Sequence, residues 1–204
     1  MKKLPAVLTA LVVTAALAGC STGGDAPQAE APASSADSEG AALAEANDTD
    51  LHFLAMMTPH HEQAVEMSEI ILAVDGVSEP TRDLAQRILD GQAEEIETML
   101  GWADAWGQDD LMQMHSVHIA NGMLTGDQMG SLERLADASA GDATAVAEAE
   151  KTFLELMHSH HEGAIAMTQG EIADGGYTDL QDLAQQMVDV QTAEMAEIDG
   201  LLER

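Results

Sequence analysis

Two short stretches, one hundred residues apart, carry the side chains best suited to chemistry. Met57 to Met67 reads MTPHHEQAVEM, and Met157 to Met167 reads MHSHHEGAIAM. Both fit M-x-x-H-H-E-x-A-x-x-M. Each stretch thus supplies an adjacent histidine pair with a methionine at either end. The candidate ligands are His60, His61, Met57 and Met67 in the first copy, and His160, His161, Met157 and Met167 in the second. Thioether is a soft donor, and imidazole together with it favours Cu(I). Imidazole with carboxylate and no sulfur would favour Zn, Fe or Mn. A second block also repeats, placing Gln92 and Glu95 in one copy and Gln191 and Glu194 in the other. A carboxylate beside a histidine orients the ring for metal binding or proton transfer.

These residues need helices to hold them. At about 100° per residue, a first helix over about 49–73 carries one stripe of Phe53, Met57, His61, Ala64, Ser68 and Ile71. His60 and Met67 border that stripe, while Glu62, Gln63, Glu66 and Glu69 take the opposite face. Pro59 lies inside this helix and should kink it just before the histidines. A second helix over about 80–106, with Ser78 as N-cap, has the stripe Leu84, Ile88, Gln92, Glu95, Met99, Trp102 and Trp106. Gln92 and Glu95 interrupt an apolar face, and a buried carboxylate needs a partner.

The second copy repeats the logic. A helix over about 143–173 presents Phe153, Met157, His161, Ala164 and Thr168. A last helix over about 179–202 presents Leu183, Met187, Gln191, Glu194, Ile198 and Leu201, with Thr178-x-x-Gln181 as its expected capping box. Between the copies, Thr125-x-x-Gln128 caps a short helix reaching about Ala138. Strand signals are nearly absent and only 2% of residues are aromatic. An internal duplication of a two-helix unit predicts an all-α four-helix bundle made of two duplicated hairpins. Whether the histidine pairs meet in one central site or form two is open at this level.

The chain begins with Met1-Lys2-Lys3, an apolar run to Ala16, and Leu17-Ala18-Gly19-Cys20. The run is too short to span a membrane. The last four residues resemble a bacterial lipobox, which implies cleavage before Cys20 and lipidation of its sulfur. Cys20 is the single cysteine, so no disulfide forms within the chain. The expected organisation is a signal peptide over 1–19, a lipidated cysteine and disordered tether over 20–47, and one domain over 48–204. That domain divides into a first hairpin (48–106), a linker with a short helix (107–141) and a second hairpin (142–204). The expected location is extracytoplasmic, with the membrane contacted through the lipid alone.

A net charge of −30, from 37 acidic against 7 basic residues, argues against nucleic-acid partners. Three sharper motifs fail. His61-Glu62 and His161-Glu162 begin like H-E-x-x-H, but Val65 and Ile165 replace the second histidine. Glu155-x-x-His158 has the di-iron spacing, yet it occurs once and Glu155 faces the polar side. No C-x-x-C-H is present, so covalent haem is excluded; no nucleotide is expected. Met112, Met114, His115 and His118 form a possible second metal site in the linker, with a solvated linker as the alternative.

The pattern Phe-Leu-x-x-Met-x-x-His-His-x-x-Ala, followed by Gln-x-x-Glu, resembles the bacterial domain of unknown function 305 over about Asp50 to Leu202. Gly122-Met123-Leu124 also fits. The resemblance implies an exported ferritin-like bundle; some members are associated with copper binding and tolerance, and the family has no agreed activity. By position it implies His60, His61, Met57, His160, His161 and Met157 as site residues. Thr58-Pro59 in the first copy stands where the second has His158-Ser159. The expectation is a lipid-anchored protein that binds a soft metal, Cu(I), for buffering, tolerance or delivery, with Glu95 and Glu194 orienting the histidines. A redox enzyme is a third reading, for which the sequence offers no substrate pocket to name. The alternative is a cell-surface interaction scaffold whose buried His/Glu network is structural.

Overall fold

The computed structural model describes residues 46–108 and 122–204. Cys20, the leader, the tether to residue 45, and Met112, Met114, His115 and His118 lie outside the described residues. Among the described residues five helices follow in order: α1 (Asp48–Leu72), α2 (Glu79–Ala105), α3 (Gly126–Ala138), α4 (Ala143–Asp174) and α5 (Thr178–Leu202). None is long and apolar enough to cross a membrane.

Local chemistry sets most helix ends. Asn47 caps α1 by accepting from the amides of Thr49 and Asp50, and Asp50 returns a bond to the Asn47 amide. α1 then continues unbroken through Pro59. Arg82 donates to the carbonyls of Leu72 and Val74, each at 2.8 Å, satisfying the end of α1. Ser78 caps α2, and Thr125 and Gln128 form the expected capping box of α3. α2 stops at Gly107, whose φ of 66° suits glycine. The Gln108 and Gly107 amides turn back to the carbonyls of Ala103 and Asp104, closing a Schellman motif.

One expected cap does not form. Tyr177, not Thr178, is the N-cap of α5, and it makes no side-chain capping bond. Gln181 instead donates to the Ile172 carbonyl. The amides of Gly176 and Tyr177 are taken by the buried carboxylate of Asp50, at 2.9 Å each. The helix starts one residue early: the Leu180 and Gln181 amides bond to the Tyr177 carbonyl, so Thr178 is already helical.

α1 packs on α2, α4 on α5, and the two hairpins meet through α1 and α4; α2 and α5 barely touch. The core is split into two apolar clusters. One joins the C-terminal half of α1 (Ala64, Met67, Ile71) to the N-terminal half of α4 (Val146, Ala149, Phe153) and to Met129 and Leu132 of α3. The other joins the N-terminal half of α1 (Phe53, Leu54, Met57) to Ala164 of α4, with Met99 of α2 and Met187 of α5. α1 and α4 therefore run antiparallel, and each crosses the other at its histidines. Burying each large side chain contributes about 1.5–3 kcal/mol, so the clusters clamp the polar layer from both sides. α3 lies across α1 and α4 on the first cluster only.

Candidate functional site: a buried histidine layer

All four paired histidines are fully buried. The rings of His60 and His160 face one another at a centroid distance of 3.6 Å and an interplanar angle of 34°. His60 and His61 are 6.4 Å apart. The two copies thus contribute to one central layer. Two hydrogen bonds tie it to the outer helices: His61 Nε2 to Glu95 Oε2, and His161 Nε2 to Glu194 Oε2, each 2.7 Å. A carboxylate can only accept, so Nε2 carries the proton in both rings. In the neutral ring Nδ1 then presents a lone pair. Neither Nδ1 has a hydrogen-bond partner among the described residues, and neither nitrogen of His160 makes a well-formed one.

Burial holds the His160 pKa well below its usual value; His60, His161 and His61 push the same way, against a small opposing pull from the His60 backbone. His160 is therefore a neutral donor ring at physiological pH. Glu95 and Glu194 were expected in the middle of a buried face. They are partly exposed, at 20% and 12%, because α2 and α5 separate there. A cavity of about 40 Å³ opens between them, lined by Gln92, Glu95, Gln191 and Glu194 with Arg87 and Gly91. It has room for one to a few waters. Gln92 and Gln191 are buried beside it, and the Gln92 carbonyl and both amide atoms of Gln191 have no partner among the described residues.

Met57 and Met157 are fully buried one turn before His61 and His161, each in a different apolar cluster. Met67 belongs to the first cluster, while Met167 lies half-buried at the edge of the second. As placed, no three His, Cys, Asp or Glu side chains among the described residues are arranged around one ion position. The donor set still fits a soft cation, since buried nitrogens with unused lone pairs are costly unless something accepts them. To share an ion, the His60 and His160 rings must turn out of their stack.

The model of DUF305, a domain of unknown function, matches residues 50–202. The chain belongs to the DUF305 family. Its fold matches the crystal structure of a DUF305 fragment from Deinococcus radiodurans with a TM-score of 0.65 at 27% identity, covering 78% of this chain and 98% of that one. It also matches a Streptomyces coelicolor structure named "putative secreted protein DUF305", with a TM-score of 0.61 at 30% identity over 76% and 92% of the two chains. No curated protein matches.

In this DUF305 chain, several residues that matter are ones that the two copies do not share. Gln63 clamps the linker: its amide donates to the Leu124 carbonyl at 3.1 Å and its carbonyl accepts the Leu124 amide at 2.6 Å. At the matching position the second copy has Gly163, and Gly122 (φ 85°) packs directly on it. The pattern Gly122-Met123-Leu124 thus has a docking role. His158 is not in the layer; it is half-buried, with Nε2 3.4 Å from Asp199.

A second carboxyl pair also went unseen in the sequence. Burial works to raise the Asp50 pKa, but the amides of Asn47, Tyr177 and Gly176, with Glu171 nearby, hold it below its usual value. Glu171 is 1% exposed, and neither of its oxygens makes a well-formed hydrogen bond. Burial, reinforced by the Asp50 carboxylate, pushes its pKa up to about 8. The signal that could have located it is an acid at position 171 where the first copy has Ile71.

Proposed function

We propose that this DUF305 domain binds Cu(I) in the histidine layer, as a buffer or delivery protein held outside the cytoplasmic membrane by lipidated Cys20. The observation that carries the reading is a layer of fully buried imidazoles in which Nδ1 of His61 and of His161 keeps an unused lone pair. The donors would be Nδ1 of His61 and His161 with the rings of His60 and His160. Met57 and Met157 stand one helical turn away and supply soft sulfur within reach of the same layer. Glu95 and Glu194 hold the outer rings in one tautomer. Export agrees with the leader and with the description of the Streptomyces coelicolor relative.

The His60–His160 stack supports a second reading, in which the layer fixes the register of two hairpins and the domain serves as a surface scaffold. Anaerobic Cu(I) titration against a competing chelator, with Zn(II) and Fe(II) in parallel, separates the two. His61→Ala with His161→Ala lowers Cu(I) affinity under the first reading. Unchanged affinity in that variant favours the scaffold.

A further inference from the structure

The duplication creates two grooves between α1 and α4, one on each side of the histidine layer. α3 covers the first through Met129 and Leu132, above Met67, Ile71, Val146 and Ala149. No described element covers the second. It opens as a cavity of about 260 Å³ between the start of α1 and the end of α4. Matching positions in the two grooves differ in chemistry. Thr152, Leu156 and Ile71 on the covered side become His52, Met56 and Glu171 on the open side, while Met67 and Met167 are alike. The open side thus gains an imidazole, a second thioether and a carboxyl group.

We propose that this open groove is a second binding site for a soft monovalent cation, with His52, Met56 and Met167 as its donors. His52 and Met56 are four residues apart on α1 and share a face. Met167 faces them from α4 across the cavity. Imidazole with two thioethers is a donor set that selects Cu(I), or its redox-inert analogue Ag(I), over hard divalent ions. Glu171 lines the same cavity, where it is buried and paired with Asp50. A bound cation would offset the negative charge of this buried carboxyl pair. The seat of Glu171 is specific: a Cβ at Gly175 would lie 2.2 Å from Glu171 Oε1, so only glycine leaves room for it. His52 is exposed while the paired histidines are fully buried, so this groove can take an ion from solvent without opening the core.

The proposal does not depend on the histidine layer binding metal, and one titration separates the two. The whole chain is titrated with Ag(I) against a competing ligand, as wild type, as Met56→Leu with Met167→Leu, and as His60→Asn with His160→Asn. The groove variant loses one bound equivalent relative to wild type, and the layer variant keeps that equivalent. In parallel, methyl-labelled wild-type protein is followed by NMR, where the Met56 and Met167 methyl signals shift with the equivalent assigned to the groove. This second readout holds even if the leucine variant folds poorly. Unchanged stoichiometry and affinity in the groove variant, unshifted Met56 and Met167 methyls, or no Ag(I) bound by wild type would each overturn the proposal.

Discussion

Position 50 is Asp and position 71 is Ile in the first repeat; the matching positions 150 and 171 are both Glu in the second. Both early acids reach across to the opposite hairpin. Asp50 takes the amides that start α5, and Glu150 takes the Ser78 amide and the hydroxyls of Ser78 and Thr81 at the start of α2. The two repeats are therefore cross-braced by reciprocal caps. Yet the first brace is fully buried beside Glu171, and the second is at the surface. At the crossing of α1 and α4 the buried Met57, His60, His61 and Ala64 recur as Met157, His160, His161 and Ala164, because both copies build one layer. Side chains toward the ends differ, because α3 seals one end and leaves the other open. A duplicated fold can thus keep one shared centre while its two ends take separate roles.

Several substitutions would sharpen or break this comparison. The largest effect is expected in the sealed core. Phe153→Ala should cost about 3–5 kcal/mol, and Phe53→Ala, which borders the open cavity, distinctly less. Equal losses in chemical denaturation would mean that the two ends are packed alike. The braces come next. Asp50→Ala strands the partly buried Gly176 and Tyr177 amides and should cost about 2 kcal/mol. Glu150→Ala, at the surface, should cost about 1 kcal/mol; a reversed order would undo the distinction.

The pH response is smaller and has a definite sign. Glu171 binds its proton more tightly when folded, with a pKa of about 8 against 4.5. Its contribution is therefore fully present below about pH 4.5, and it is lost as pH rises toward 8. Glu171→Gln should remove that decline and stabilise the protein at pH 8, by on the order of 2 kcal/mol. His160 acts oppositely: its pKa is depressed in the fold, so its charging favours the unfolded chain as pH falls below about 6.5. Melting temperatures of wild type and Glu171→Gln at pH 5 and pH 8 check the first claim. A difference of the same size at both values would contradict it.

Much of this was legible in the sequence, for a physical reason. Helical periodicity places Phe53, Met57, His61, Ala64, Ser68 and Ile71 on one stripe, and all six are buried. The local caps at Ser78 and Thr125 involve neighbours in the chain, so spacing alone reveals them. What spacing could not reveal is the distance between helices. It left open whether the histidine pairs converge, and the antiparallel crossing of α1 and α4 brings them together. The anchoring of the α5 start has the same origin, since Asp50, which takes the Gly176 and Tyr177 amides, comes from more than 120 residues away. Gln63 was assigned to the polar face because nothing in the sequence shows that the linker returns to it. The exposure of Glu95 and Glu194 follows from the splay of α2 and α5, which a helical wheel does not contain.

The central claim is that the histidine layer holds a soft cation. Its most direct test is X-ray absorption on Met56→Leu with Met167→Leu protein, loaded anaerobically with one equivalent of Cu(I). With the groove thioethers removed, the account predicts bound copper with imidazole nitrogen in its first shell. That signal should disappear when His60, His61, His160 and His161 are replaced together. A first shell of sulfur or oxygen alone, or no retained copper, would contradict it.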